Sequence, residues 1–110
     1  DMYLAPGRIE TFGLSALEAM ASGTPVLSVD LGGVSDLVRH SGAGRTFAAG
    51  EADALTDAAC TLWADDLDAL GARGRAYAEA EHGWDTVFDR LFAVYRDVVA
   101  AGRGGAARNT

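Results

Sequence analysis

Lysine is absent from this chain: all nine basic residues are arginine, against sixteen acidic residues. The resulting formal charge of −7 repels phosphate backbones and anionic lipid headgroups on average, which sets nucleic acid and membrane surfaces aside as first partners. Cysteine is nearly absent. Cys60 stands alone, so no internal disulfide can form, and its Ala-Ala-Cys-Thr-Leu setting has no charged helper beside it. It is expected to be a small buried apolar residue rather than a reactive thiol. No uncharged run approaches the length that spans a bilayer, and the first residues lack the basic and apolar blocks of a signal peptide. These absences point to the cytoplasm. What remains is 110 residues, 49% of them hydrophobic and two of them proline, which is one ordinary soluble domain at most.

Glycines and apolar periods divide the chain. Asp1 to Leu4 is a short extended stretch stopped by Ala5-Pro6-Gly7, so the text reads as a piece cut from a longer protein. Leu14, Leu17 and Ala21 recur at helical spacing within residues 13–22, and Gly23 ends that helix. Pro25 to Val29 is an apolar run with Pro at its first position, as in a buried strand. Ser35 is expected to cap a short helix to His40, and residues 45–48 form a brief strand. Three helices follow, over residues 51–64, 67–80 and 84–100. The first turns Leu55, Ala58, Ala59 and Leu62 to one side, and the last carries Trp84, Phe88, Phe92 and Tyr95, which at this spacing read as core. Residues 102–110 have no apolar period and are expected to be a disordered tail.

Strands alternating with helices of crossover length define an α/β class, a partial Rossmann-like parallel sheet with a helical C-terminus. Three short strands are too few for a doubly wound sheet, so the missing strands are expected upstream of Asp1. Val26, Leu27 and Val29 would then lack neighbours in this chain alone.

The chemistry-bearing segment runs from Pro6 to Val26. A glycine, Gly13, opens the helix, and the free N–H groups of Gly13, Leu14 and Ser15, backed by the helix dipole, form an anion site. Ser15, Glu18 and Ser22 follow at i, i+3 and i+7, so a hydroxyl and a carboxylate share one face one turn beyond that site. A carboxylate can accept two hydrogen bonds at once, which suits Glu18 to the adjacent hydroxyls of a ribose, with Glu10 on the other side of the phosphate position. The same residues also describe the wet face of an amphipathic helix, with Glu10 serving only its own loop.

Glu10 and Glu18, embedded in Glu-Thr-Phe-Gly-Leu-Ser-Ala-Leu-Glu-Ala-Met-Ala-Ser-Gly-Thr-Pro-Val, resemble the signature of the retaining glycosyltransferases of family 4, which have the two-lobed GT-B fold. The likeness continues through Gly32-Gly33, Gly42-Ala43-Gly44 and Gly83-Trp84-Asp85. It implies that residues 1–101 are an incomplete C-terminal lobe that binds a nucleoside-diphosphate sugar, of the GDP-mannose or UDP-sugar type, with the N-terminal lobe missing. By the same resemblance Glu10 orients the transferred sugar in catalysis, Glu18 holds the ribose, and Phe12, Gly13, Leu14 and Ser15 meet the sugar and diphosphate. The acceptor, whether glycan, lipid or small molecule, is left open. The resemblance implies neither cofactor nor metal, and His40 and His82 have no ligand partner at i+4. It also implies an Arg and Lys pair from an earlier loop, for which this chain offers only Arg8 near the motif. Many relatives carry Glu where Asp36 stands, and Asp36 is expected to be a helix-start acid that favours the dipole. Two other readings are a non-catalytic nucleotide- or sugar-binding lobe and an epimerase-like isomerase on the same fold.

Overall fold

The computed structural model describes residues 1–7 and 13–108. It divides into two compact units, Asp1–Glu79 and Ala80–Thr110. The first unit opens with β1 (Tyr3–Ala5), α1 (Leu14–Ala21), β2 (Val26–Val29), α2 (Gly32–Ser41) and β3 (Gly44–Phe47), followed by α3 (Ala52–Trp63) and the start of α4 (Leu67–His82). The strands are parallel in the order β1-β2-β3, with Tyr3 beside Val26 and Val26 beside Gly44. The α/β class and the parallel sheet are therefore as the sequence predicts.

β2 is the centre of this unit, and its side chains alternate between two apolar clusters. Val26 joins Ala16, Met20, Val34, Leu37, Val38 and Ala43 on one face, whereas Leu27 joins Leu62 and Leu70 on the other. A strand covered on both faces needs apolar residues at consecutive positions, which is why residues 26–29 show no alternation of polarity. Val26, Leu27 and Val29 are at most 2% exposed. The expectation that they lack neighbours in this chain is thus overturned, because α1 and α2 cover one face and α3 and α4 the other.

Several local expectations shift by one face or one turn. In α1 the buried pair is Ala16 and Met20, while Leu14 is 60% exposed. α2 begins at Gly32 rather than at Ser35. Ser35 is buried in its first turn and donates its hydroxyl to the Gly32 carbonyl at 2.8 Å, a bond that serves the turn and caps nothing. Asp36 consequently lies beyond the first turn and faces Arg39 at 3.6 Å, so it is no helix-start acid. Cys60 is exposed, not buried. It precedes Leu62 by two residues, about 200° around α3, and Leu62 holds the core side together with Leu55, Ala58 and Ala59.

The second unit is dominated by α5 (Trp84–Arg108). Arg90 clasps the preceding turn with a 2.6 Å ion pair to the Glu81 carboxylate and a 2.9 Å bond to its carbonyl. Trp84, Phe88 and Phe92 stack in sequence and Tyr95 meets Phe92 edge-on, with ring centroids 5.6 to 6.2 Å apart. All four are exposed, so the helical spacing that reads as core here produces an aromatic ladder on the surface. The helix runs on through Arg108 where the sequence predicts a disordered tail from residue 102. Ala100 and Ala101 favour that continuation. Among the described residues no helix is long and apolar enough to cross a membrane.

Candidate functional site

In a parallel sheet every helix that follows a strand starts at the carboxyl edge, so α1 and α2 open at the same end of β1 and β2. Gly13 precedes α1 in the left-handed conformation, with φ 80° and ψ 51°, which a residue with a Cβ adopts only at a cost. The first bond inside α1 runs from Leu17 N–H to the Gly13 carbonyl at 3.0 Å. The N–H groups ahead of it therefore have no acceptor within the helix, no side chain among the described residues caps them, and no acid lies in the first turn.

Gly13 and Ser15 border a cleft of about 100 Å³ that is also lined by Tyr3, Ala5, Pro6, Gly7 and Val34. Val34 belongs to the first turn of α2, which likewise has neither a side-chain cap nor an early acid. Residues of α1 and of the first turn of α2 thus line one cleft. Sequence reasoning missed the part α2 plays here, and its signal was Gly32-Gly33, separated by two residues from a buried strand.

Ser15 and Glu18 are both exposed on α1, and the Glu18 carboxylate has no hydrogen bond or ion pair with any described residue. Ser22, on the same face, donates its hydroxyl to the Glu18 carbonyl at 3.0 Å and so belongs to the helix end rather than to a ligand. Of the predicted site residues, Gly13, Leu14, Ser15 and Glu18 are brought together on the first turns of α1. Glu10 and Phe12 lie outside the described residues, as does Arg8. Among the described residues no group of His, Cys, Asp and Glu is arranged to hold a metal.

A larger groove of about 450 Å³ lies elsewhere, lined by Val38, Arg39, Arg45, Thr46 and Thr61 among others. Its two arginines are already engaged, Arg39 with Asp30 and Arg45 with Asp65. A ligand anion would have to displace a carboxylate from each. The smaller cleft, whose donors have no partner within the helix, has the better chemistry despite its size.

The sequence profile of the family described as "Glycosyl transferases group 1" matches residues 1–65. Over 106 residues, 94% of the chain and 25% of the relative, it is 40% identical to D-inositol 3-phosphate glycosyltransferase 1 of Catenulispora acidiphila. Phosphatidyl-myo-inositol mannosyltransferase of Mycobacterium leprae is 35% identical over 105 residues, 93% of this chain and 28% of the relative. Sucrose-phosphate synthase from Thermosynechococcus elongatus superposes with a TM-score of 0.79 at 34% identity, over 89% of this chain and 25% of its own. The chain spans about a quarter of the length of each of these proteins. With the parallel sheet, the helix order and this similarity in agreement, the chain belongs to the group 1 glycosyl transferases and carries a portion of their GT-B fold.

Proposed function

We propose that this chain is the C-terminal, donor-binding lobe of a retaining glycosyltransferase that moves a sugar from a nucleoside-diphosphate sugar to an acceptor hydroxyl. The observation that carries the reading is the start of α1, without a side-chain cap among the described residues, opened by a left-handed glycine and followed by exposed Ser15 and Glu18. The diphosphate sits at the N–H groups of Gly13, Leu14 and Ser15, and Glu18 accepts from the ribose hydroxyls one turn along. Glu10, by its place in the family signature, orients the transferred sugar.

The chain's formal charge of −7 opposes a donor of the same sign, so magnitudes decide. Distant surface charges are screened over about 8–10 Å at moderate salt. Each charge-assisted N–H contact contributes roughly 1.5–3 kcal/mol, and the helix dipole adds about 0.3–1 kcal/mol or more. Local donors win over the net field.

In the transfer itself the bond between the anomeric carbon and the phosphate oxygen breaks, and the acceptor oxygen bonds to the same face. The acceptor proton passes to the departing phosphate. The protein orients the partners and stabilises charge on the leaving diphosphate, with no covalent step on Glu10. Two of the relatives carry inositol in their names, which makes an inositol hydroxyl the first acceptor to try.

Glu18→Ala tests the assignment. It removes a charge-assisted pair and should weaken nucleotide binding by roughly 1.5–3 kcal/mol in calorimetry with free UDP and GDP. Unchanged affinity for whichever nucleotide binds would return Glu18 to the solvent face of an amphipathic helix. Nucleotide binding without turnover on any acceptor would favour a binding lobe over an enzyme.

A further inference from the structure

α1 carries the donor groups at its first turn, and something must fix its position along its own axis. Its far end closes through Gly23, whose N–H donates to the Met20 carbonyl at 2.9 Å, while Thr24 N–H reaches the Ala19 carbonyl at 3.0 Å. Against that closing turn lies Gly71 of α4. A Cβ at Gly71 would overlap the carbonyl oxygen of Gly23, which is backbone and cannot swing aside. One turn further, a Cβ at Gly74 would stand 2.9 Å from the Ala43 Cβ and 3.4 Å from the Met20 Cβ. Met20 is the fully buried residue by which α1 is anchored, and Tyr77 of α4 packs on the same cluster.

We propose that Gly71 is a positioning residue for the donor site: by letting α4 touch the backbone of the Gly23 turn, it sets where α1 stands along its axis and so where the N–H groups of Gly13 to Ser15 meet the donor phosphates. A helix transmits an axial shift along its length because its backbone bonds are continuous. Productive geometry tolerates errors of only about 0.5 Å, so even a small displacement of α1 matters. This rests on the donor-site reading for its ligand, but the displacement itself does not.

The test uses Gly71→Ala and the gentler Gly74→Ala in the protein as its gene encodes it, with Leu55→Ala in α3 as a control that loosens the opposite face of the sheet. Near-ultraviolet circular dichroism selects the folded variants. Amide NMR signals of Gly13, Leu14 and Ser15 and the affinities for UDP and GDP are then compared. The expected result is that folded Gly71→Ala, or Gly74→Ala if the first does not fold, moves those three amides and weakens nucleotide binding at least fivefold. Leu55→Ala lowers the melting temperature and changes neither. Unmoved amides in a folded glycine variant, or equal changes in Leu55→Ala, would overturn the proposal. Moved amides in a protein that binds neither nucleotide would uphold the positioning and defeat the donor reading.

Discussion

The helices differ at their first turns, even among the three that each follow a strand of the sheet. α3, α4 and α5 each carry an acid there, Asp53, Asp68 and Asp85, and α4 is also capped by Asp66, whose carboxylate accepts the Ala69 N–H at 3.0 Å. α1 and α2, which follow β1 and β2, have no early acid and, among the described residues, no side-chain cap. In a chain with sixteen acidic residues, α1 and α2 have none in the first turn, and residues of both line the cleft. An acid at a helix start supplies the negative charge that the dipole favours, and a start without one leaves that place to a ligand.

The contrast is broken most directly by giving α1 what α4 has. Leu14→Asp puts a carboxylate in the first turn at a position that is 60% exposed, so little packing is lost. It should stabilise the helix by about 0.3–1 kcal/mol and at the same time weaken UDP or GDP binding tenfold or more, about 1.4 kcal/mol. Thermal melts and calorimetry on one sample would show the opposite signs. A gain in stability with unchanged binding would mean that the open start is only a missing cap.

The reverse change sharpens the comparison from the other side. Asp66→Ala should cost roughly 0.5–2 kcal/mol of stability, as the loss of an N-cap does, and leave nucleotide affinity as it was. Denaturant titration measures the first and calorimetry the second. Weakened binding here would show that helix starts in this chain are not separated into structural and functional ones.

The smallest effect concerns Asp65. The neighbouring Asp66 N–H at 2.7 Å, then the Arg45 guanidinium at 3.0 Å, hold its carboxyl below the ordinary value of 3.8. A carboxyl depressed in the folded state stabilises it above the unfolded value, and that contribution is lost as pH falls through the folded one. Asp65→Asn should therefore be slightly less stable than wild type at neutral pH and converge with it below about pH 4. The group is exposed and the effect is correspondingly small. Parallel melting curves at neutral and acid pH would reveal it, and a constant difference across that range would contradict it.

How much of this was legible in the sequence depends on whether a pattern needs a partner to be read. The apolar run at Val26 to Val29 and the glycine before α1 carry their meaning locally, and both stand where the sequence puts them. Ser35 misleads because a serine looks the same before a helix as inside its first turn, where its hydroxyl bonds backward. Cys60 sits among alanines, which make the rotational phase of α3 ambiguous until Leu62 meets Leu27. The aromatic ladder at Trp84, Phe88, Phe92 and Tyr95 has the spacing of a buried stripe whether or not anything covers it. The shared lining of one cleft by α1 and Val34 of α2 depends on the parallel register of β1 and β2, a tertiary fact that no single segment contains.

The donor diphosphate is expected to bind at the open start of α1. Amide NMR of the protein titrated with UDP and with GDP examines this directly. The signals of Gly13, Leu14 and Ser15 should move with one nucleotide or both and saturate together, while that of Ala69 in the capped start of α4 stays in place. Saturable nucleotide binding that leaves the three α1 signals unmoved would contradict the account, because the phosphates would then be held somewhere other than the helix start from which the whole reading is built.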